Sequence, residues 1–382
     1  MGVKIKSALG SVTLDAENIA SNTTVTVPAG GGTLADTGVT DALSTRVNAV
    51  GGRKNLIING GMQVAQRGTS FTAPSATYTL DRWKVWSTNT DGGFDVTQVT
   101  DGPSEFKSSL KATITSADTS LGATQFAIIR YPFEGQDIVG TASGTADAKT
   151  MTLSFWVKCS VTGTFGGALA DGAFSYSFPF SYTVLAANTW EKKTVTITGA
   201  TSGNFSNDIT QGMQINFSMG SGSTYSGTAN TWGSAGYFDA TGTDAVIATN
   251  GATWQVTGVQ LELGDTATDF EHRSYGEELA LCQRYYIGSA YAGSFQGSTN
   301  ENGGTSCIFA VPDSRYKSMR DLPTLSLNNT GSVIHRSGVS FYTATSFSSS
   351  GLDYITVNAS SSLPASINVQ MITNRLIADA EL

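Results

Sequence analysis

Histidine and cysteine are scarce in this 382-residue chain, and their scarcity limits the chemistry available to it. With His272 and His335 as its two histidines, the chain has almost no material for a zinc site or a histidine-based catalytic triad, and we assign His335 no role. The three cysteines, Cys159, Cys282 and Cys307, are odd in number and widely spaced, which indicates neither a disulfide framework nor a CxxC site. We expect each of them to be a buried thiol.

Charged residues are also few, at 14% of the chain against about 25% in an average protein. Acidic residues number 30 and basic residues 22, and no block of Lys and Arg occurs, which argues against phosphate-driven binding of nucleic acid. A surface poor in charge but rich in hydroxyl groups and aromatic rings suits neutral polar partners such as sugars, although it suits a solvated sheet equally.

Long apolar runs are missing too, since none approaches the roughly 18 residues that span a bilayer. The basic N-terminus MGVKIKSALGSV has an apolar stretch shorter than the about 7 residues of a signal h-region. Lys6 stands where the myristoylation pattern after Gly2 needs Ser or Thr. We therefore expect a soluble protein made in a cytoplasm, without an export signal or membrane insertion.

Residues 1–52 predict an extended arm followed by a short helix. The brief alternating segments in SVTLDAENIASNTTVTVPAGGGTLADTG are too short to bury a core alone. In DTGVTDALSTRVNAV, apolar residues recur at helical spacing, namely Val39, Leu43, Val47 and Val50. A homotrimer would give this stripe a partner, so we predict a trimerisation helix; a helix lying on the following domain is the alternative.

Most of the remaining chain consists of short alternating or continuous apolar runs separated by turn residues. Such runs over 53–274, without helical segments between them, predict an antiparallel jelly roll or β-sandwich. The segment 275–286 predicts a connecting helix, and 287–382 predicts a distal β domain whose last strand is tied into a sheet. The predicted fold class is therefore mainly β, with the arm and its short helix in front.

Two strands in this region allow sharper predictions. In LSFWVKC, Leu153, Phe155, Val157 and Cys159 share one strand face, with Trp156 on the opposite face. In TWQVTGVQLEL, the apolar parity switches at Gly258, and a β-bulge there would return one set of residues to the core. That set is Trp254, Val256, Val259, Leu261 and Leu263.

The run FSYSFPFSYTV places a row of aromatic and apolar residues on one strand face, namely Phe174, Tyr176, Phe178, Phe180, Tyr182 and Val184. Such a row can stack on sugar rings, but it is also what a sandwich buries in its core, which is the interpretation we favour. Pro179 indicates a strand at a sheet edge or at a bulge.

Tryptophan side chains are the weak candidates for carbohydrate binding, because indole rings stack readily on sugars. These candidates are Trp83, Trp86, Trp156 and Trp232. In LDRW, the alternative that we favour is a sharp strand entry with a salt-bridged Arg82 and a buried Trp83, in the core or in a trimer contact. For Trp156, the parity leaves a surface, intersubunit or ligand-facing position open.

The segment YGEELALCQRYY concentrates two carboxylates, a cysteine, an arginine and tyrosines in one predicted helix. Glu277 and Glu278 point roughly 100° apart on a helix, so they do not form a facing catalytic pair, and they suit the positive end of the helix dipole. We place both at the margins of a broad apolar face that buries Cys282 and braces the jelly roll against the distal domain.

Catalysis would need a facing carboxylate pair or a nucleophile with a base, and no hydrolase motif supplies one. Other carboxylates could converge in the folded chain, namely Asp81, Asp239, Glu262, Asp265 and Asp269. We predict that the protein is not an enzyme.

Several stretches resemble phage tail-fibre or virion-fibre proteins of the marine phage type, which carry a jelly roll similar to carbohydrate-binding modules. They are NLIINGGMQVAQRGTSF (55–71), YTLDRWKVW (78–86), MTLSFWVKCS (151–160), TWEKKTVTITG (189–199), WQVTGVQLELGDTATDFEHRSYGEELALCQRYY (254–286) and the terminal ADAEL. The arm is similar to repeats near the N-termini of such fibres. The resemblance covers most of the chain, and residues 287–375 match only loosely.

The resemblance implies a homotrimeric structural protein of the virion, on the tail or alternatively on the capsid. Its arm would attach to tail or capsid proteins, and its distal domains would bind a host glycan or surface protein without catalysis. The alternatives are a capsid-decoration or adaptor fibre and a polysaccharide-depolymerising tailspike. In related jelly rolls the turn after Asn59 often supplies an acidic calcium ligand, but Gly60 and Gly61 occupy it here, so we expect no cofactor.

Overall fold

The computed structural model describes residues 3–7, 10–14, 53–88, 90–288, 293–299, 304–310, 319–321, 324–327, 332–335, 341–349, 354–363, 368–373 and 376–382. For strands before residue 15 and between residues 293 and 377, the description covers the backbone alone. The chain divides into two units, Met1–Val47 and Asn48–Leu382. The predicted trimerisation helix, with Val39, Leu43, Val47 and Val50, lies outside the described residues, and the four-part domain division stays a prediction.

The first unit contains one antiparallel strand pair among its described residues. Strand β1 (Val3–Ser7) runs against β2 (Gly10–Leu14), with Val3 opposite Leu14.

The second unit begins with a β-sandwich. Its strands are β3 (Ser70–Phe71), β4 (Thr77–Tyr78), β5 (Lys84–Thr88), β6 (Gly93–Val99), β7 (Ser109–Ser116), β8 (Phe126–Glu134), β9 (Met151–Cys159), β10 (Gly163–Asp171), β11 (Ser177–Val184), β12 (Glu191–Ile197), β13 (Gln211–Ser221), β14 (Ser226–Gly227), β15 (Asp239–Ala240) and β16 (Thr253–Leu263). Sheet 1 has the order β12-β9-β16-β7-β6-β3, and sheet 2 the order β11-β10-β13-β8-β5-β4. Helix α1 (Gly135–Ile138) follows β8, and β14 and β15 form a short parallel pair. The predicted antiparallel sandwich is confirmed.

Helix α2 (Tyr275–Gln283) follows the sandwich. The later strands are β17 (Tyr286–Ile287), β18 (Gly293–Thr299), β19 (Gly304–Ala310), β20 (Thr324–Leu327), β21 (Ser332–His335), β22 (Phe341–Ser349), β23 (Tyr354–Leu363), β24 (Asn368–Thr373) and β25 (Leu376–Asp379). Six of them close into a barrel of order β18-β19-β23-β22-β21-β24, and β17, β25 and β20 form a three-stranded sheet. The described part of the chain is thus mainly β.

The hydrophobic core of the sandwich lies between its two sheets. The ring of Phe155 in sheet 1 packs against that of Phe217 in sheet 2, with centroids 5.1 Å apart. The buried indole of Trp254 donates its N–H to the Tyr182 hydroxyl at 2.9 Å. Each large side chain buried here stabilises the fold by roughly 1.5–3 kcal/mol. The predicted core face of β9 is confirmed, because Leu153, Phe155, Val157 and Cys159 are all fully buried.

The β-bulge predicted at Gly258 is present. The pairing of β16 with β9 shifts register between Thr257 and Gln260, and Gly258 has a φ of 60°. The ring of Phe106 lies 2.6 Å from the place where a side chain on Gly258 would begin, so glycine is needed for both reasons. The bulge returns the whole predicted set to the core, namely Trp254, Val256, Val259, Leu261 and Leu263.

The predicted aromatic row is only partly correct. Its last four members are buried in the core on β11, namely Phe178, Phe180, Tyr182 and Val184. The prediction is wrong for Phe174 and Tyr176, which precede β11; Phe174 has a φ of 54°, so strand alternation does not extend to it. Strand β11 is an edge strand of sheet 2, as Pro179 predicted.

Helix α2 is shorter than predicted, because it ends at Gln283 and not at residue 286. The Tyr285 N–H turns back to the Cys282 carbonyl at 2.9 Å, and Tyr286 then pairs with Asp379 of β25. Pairing in a sheet thus replaces the last predicted helical turn. The prediction of a buried Cys282 is confirmed, and burial raises the pKa of its thiol well above the ordinary value.

The first turn of α2 is stabilised by a capping box. Ser274 accepts from the Glu277 N–H, and the Glu277 carboxylate accepts from the Ser274 N–H at 2.9 Å, which confirms the helix-start role of Glu277. The predicted marginal position of Glu278 is wrong. Its side chain is buried, where it accepts from the Asn59 N–H at 2.5 Å and pairs with Arg273 at 3.4 Å.

The last strand, β25, pairs with β17 and β20, as its alternation predicted, but it ends at Asp379 and does not continue to the last residue. Glu381 forms ion pairs with Arg82 and Arg67, and the Tyr78 hydroxyl donates to the Leu382 carbonyl at 2.5 Å. The favoured interpretation of LDRW is confirmed as well. Arg82 sits in a turn at a φ of 70° and is salt-bridged, and Trp83 is fully buried.

Candidate functional site

One row of side chains crosses the outer face of sheet 2, the face that is turned away from the core. In the strand register, Tyr78, Lys84, Arg130, Asn216 and Ala168 are successive cross-strand neighbours on β4, β5, β8, β13 and β10. Their parity is opposite to that of the core residues, so they share the outer face. The row therefore places two cationic side chains directly opposite each other.

Arg130 is the centre of this row and is only 7% exposed. Its Nε donates to the Asn216 Oδ1 at 2.9 Å, and its guanidinium carbon lies 4.4 Å from the centroid of the Trp86 ring. Its Nη2 is buried without a hydrogen-bond partner. Burial lowers the pKa of Arg130 to about 9, so the side chain is still largely charged at neutral pH.

The aromatic residues around Arg130 are held by local turns. The Phe174 N–H donates to the Asp171 carbonyl at 3.1 Å, which fixes the turn before β11. The Phe174 ring then stacks on Phe238 at 4.3 Å, and both rings lie within 6 Å of the Arg130 guanidinium, at 5.9 and 5.5 Å. We call Lys84, Trp86, Arg130, Phe174 and Asn216 the arginine patch. Lys84, Trp86 and Phe174 are each half-buried, so the patch is reached from solvent through them.

A second buried polar atom without a partner lies beside the patch. Gln214 stands two residues from Asn216 on β13 and therefore on the same outer face, and its Oε1 has no hydrogen-bond partner. Its Nε2 makes only a long contact of 3.5 Å with the Asp171 carbonyl. Buried polar groups are normally hydrogen-bonded, so an unpaired donor and an unpaired acceptor on one face indicate a place for a ligand.

Asp239 lies over the opposite half of the same face. Its Oδ1 is 2.0 Å from the point where a side chain on Gly166 of β10 would begin, so only glycine leaves room for it. It accepts from the Ala240 N–H at 2.8 Å and from Ser218. Burial raises the pKa of Asp239 to about 6.

The four tryptophans weighed as sugar-binding candidates do not form one platform. Trp83 lies in the core, where its N–H donates to the Asn59 carbonyl at 3.2 Å, and it cannot stack on a ligand at the surface. Trp86 belongs to the arginine patch, and Trp156 is half-buried on the outer face of sheet 1. Trp232 stacks on Tyr176 at 5.2 Å and donates to the Thr198 carbonyl.

The carboxylates considered for catalysis are spread over different parts of the sandwich. Asp81 accepts from the Gln66 N–H at 2.6 Å in the turn before β5, and Glu262 accepts from the Thr268 N–H at 2.8 Å on sheet 1. Asp265 and Asp269 lie in the segment after β16. Asp239 is therefore the member of this group that reaches the outer face of sheet 2.

Metal and membrane sites receive no support from the part of the chain that the structure describes. In that part, no three His, Cys, Asp or Glu side chains are grouped so as to hold a metal ion. Its helices also lack the length and apolar character for crossing a bilayer.

Sequence reasoning missed the central residues of the patch, Arg130 and Asn216. A signal for Arg130 is visible, because FAIIRYPFE places a single cation inside a run that is otherwise apolar up to its final glutamate. A charged side chain is rarely buried unless it is paired, so a cation within such a run indicates either a buried ion pair or a functional face. Nothing in the local sequence distinguishes Asn216 from any other polar residue on a strand.

No family model matches the chain, and no curated protein matches it. Among solved structures, it is similar to the enzymatically active domain of tailspike protein 4 of bacteriophage CBA120, at 14% identity over 55% of this chain, with a TM-score of 0.33. The match spans about a fifth of that chain, 21%.

Two carbohydrate-binding modules are similar at the same level. TmCBM61, solved with β-1,4-galactotriose, matches 56% of this chain and 100% of its own at 10% identity and a TM-score of 0.28. The family 11 module of a cellulosomal cellulase from Clostridium thermocellum matches 52% of this chain and 96% of its own, at 11% identity and a TM-score of 0.26.

Proposed function

We propose that the sandwich binds a glycan on the outer face of sheet 2 without acting on it, as part of a fibre subunit of a phage virion that attaches to the host surface. The observation that carries the binding site is the arginine patch. It combines the half-buried indole of Trp86 with the buried, unpartnered Nη2 of Arg130.

Each part of the patch suits a sugar. The ring faces of Trp86 and Phe174 offer apolar surface for the C–H face of a pyranose ring. Arg130 Nη2 offers a donor and Gln214 Oε1 an acceptor, which match the hydroxyl groups of a sugar, since a hydroxyl both donates and accepts. The buried polar atoms would then gain the partners that they lack.

Two carboxyl groups on the outer face of sheet 2, those of Asp239 and Glu134, are too far apart to act together in hydrolysis. Asp239 contacts Ser218, whose neighbour on β8 is Ile128, and Glu134 lies six residues farther along β8. At about 3.4 Å per residue, the two carboxyl groups are roughly 20 Å apart. A glycosidase holds its pair about 5 to 10 Å apart across the substrate, so these two do not form such a pair.

The virion assignment is supported by the motifs in the chain that resemble phage fibres. A homotrimer would present three copies of the patch, and weak single-site contacts would add through effective concentration. The arm would attach the trimer to tail or capsid proteins.

The binding proposal is tested by screening the full chain on a glycan array and titrating the best ligand. We expect Trp86→Ala to lower the affinity at least about tenfold, because the stacking surface is lost. Trp156→Ala is the matched control, since it removes a half-buried indole from the outer face of the other sheet. Equal losses in the two variants, or no glycan bound by the wild type, would contradict the proposal.

The remaining parts of the proposal have tests of their own. Incubation with the bound polysaccharide should release no reducing ends, and a steady release would favour the depolymerase alternative.

Immunogold labelling of intact virions should mark the tail; labelling of the capsid would favour the decoration fibre. A native mass equal to that of one chain would contradict the homotrimer.

A further inference from the structure

Resting on the proposed glycan site, we infer that the glycan bound at the arginine patch is anionic and places a carboxylate or sulfate group between Arg130 and Lys84. The described arginines differ in how their positive charge is compensated. Five described arginines form ion pairs with carboxylates, namely Arg53, Arg67, Arg82, Arg273 and Arg284. Arg320 donates to backbone carbonyls such as that of Ala380, at 2.9 Å. Arg130 is buried but forms no ion pair within the described part of the chain, and its one hydrogen bond is to the Asn216 amide oxygen.

A buried guanidinium without a counter-charge is unfavourable, and the contacts in the patch offset it only in part. The Trp86 ring, 4.4 Å away, attracts the cation through its electron-rich face, and the Phe174 and Phe238 rings add weaker contacts. None of these rings carries a charge or accepts a hydrogen bond from Nη2. The patch is therefore complete only when an acceptor, preferably a charged one, occupies it.

Lys84 strengthens the requirement for an anion. It lies directly opposite Arg130 in the register between β5 and β8, and like charges at such positions repel each other. Burial and the nearby charge of Arg130 lower the pKa of Lys84, and the charges of Glu381 and Asp379 oppose this shift only in part. Its Nζ lies 5.0 Å from the Tyr78 ring. An anion beside both cations would turn this repulsion into attraction.

The acidic groups around this face do not pair with Arg130. Asp379 and Glu381, whose charges act on Lys84, are ion-paired with Arg67. Asp239 is bonded to Ser218 and to the Ala240 N–H, and it forms no ion pair with Arg130. The fork of N–H groups on arginine matches the two oxygens of a carboxylate or sulfate, whereas neutral hydroxyl groups would leave the charge uncompensated. A uronic acid or a sulfated sugar stacked on Trp86 would supply both the ring and the anion.

The inference is tested by titrating the full chain with three related oligosaccharides: one of uronic acids, its carboxyl-reduced neutral counterpart, and a sulfated counterpart. We expect at least one acidic form to bind at least tenfold more tightly than the neutral form, and the acidic form preferred identifies the group as carboxylate or sulfate. The preference should weaken as NaCl is raised, because the ion pairs are partly screened.

Variants separate this inference from the proposed function. Arg130→Gln and Lys84→Met should each lower the affinity for the acidic form by a larger factor than the affinity for the neutral form, so that the preference for the acidic form falls. Lys158→Met is the matched control, since it removes a lysine that lies 5.2 Å from the Trp190 ring on sheet 1. Thermal unfolding verifies that each variant is folded.

Two outcomes would overturn the inference. Equal affinity for the acidic and neutral forms, with Trp86→Ala still impaired, would leave the glycan site standing and remove its anionic preference. If none of the three oligosaccharides binds and no other acidic glycan binds on the array, the inference is overturned. If no glycan of any kind binds, the proposed function is overturned as well.

Discussion

Arg82 and Arg130 are both buried next to aromatic rings at sheet 2, yet their surroundings differ in charge. Arg82 lies 3.5 Å from the Tyr285 ring centroid and is ion-paired with Glu381, whereas Arg130 lies 4.4 Å from that of Trp86 and has no carboxylate partner among the residues that the structure describes. Each leaves one N–H group unpartnered, Arg82 Nε and Arg130 Nη2. Arg82 also donates its Nη2 to the Pro132 carbonyl at 2.6 Å, whereas Arg130 donates to the Asn216 amide, but only Arg82 faces a counter-charge among the described residues.

The two pKa values move in opposite directions for this reason. Burial alone would lower the pKa of Arg82, but the Glu381 carboxylate holds it well above the ordinary value. Burial lowers the pKa of Arg130 to about 9 because no carboxylate opposes it. A buried arginine is therefore structural where the chain provides a carboxylate partner for it, and it marks a candidate binding site where the chain provides none.

Replacing Arg82 should have the largest effect on stability. Arg82→Met leaves the buried Glu381 carboxylate with Arg67 as its remaining ion-pair partner among the described residues, and breaking a buried ion pair costs about 3–5 kcal/mol of unfolding free energy. Denaturant unfolding measures this loss. Arg53→Met, which removes the more exposed pair with Asp137 at 2.8 Å, is the control and should cost less than about 1 kcal/mol. Similar losses in both variants would erase the distinction between buried and exposed pairs.

Asp239 extends the comparison to an unpaired acid on the outer face. Its folded pKa of about 6 lies above the ordinary 3.8, so the folded state holds this proton between about pH 4 and 6 while the unfolded state has released it. The stability that this protonation contributes is therefore present below about pH 4 and is lost as pH rises through 6, by up to about 3 kcal/mol. The free energy of unfolding should be measured for wild type and Asp239→Asn from pH 4 to 7. Across this range the wild type should lose up to about 3 kcal/mol relative to the variant, whose amide does not titrate. Parallel curves would contradict the assignment.

Replacing Arg130 should have the smallest effect on stability. Arg130→Met removes an uncompensated buried charge, which is favourable, but it also leaves the Asn216 Oδ1 without its donor, which costs about 1–3 kcal/mol. The net loss should stay below about 2 kcal/mol, well under that of Arg82→Met in the same denaturant experiment. A loss as large as that of Arg82→Met would show that Arg130 is structural, and the contrast between the two arginines would fail.

Much of the sandwich was predictable because its signals are local. The switch of parity around Gly258 required a bulge, and the bulge is present with a φ that glycine adopts readily. Where prediction failed, distant residues intervened. Phe174 left the aromatic row because Asp171 holds a turn there, and the last turn of α2 was replaced by pairing between Tyr286 and Asp379.

The sequence by itself determined the class of fold and the faces of the strands, since side chains alternate with a period of two wherever a strand is half-buried. Only the tertiary structure decided which of the two arginines, Arg82 or Arg130, lies beside a carboxylate. Glu381 reaches Arg82 across 299 residues of chain, whereas the packing of β8 against β13 and β5 gives Arg130 an amide and a like-charged lysine. Charge pairing depends on such long-range contacts, and no local pattern encodes them. The positions of the tryptophans depend on the same long-range packing, and they form no common platform. The candidate site lies instead around Arg130, which the sequence places within an apolar strand.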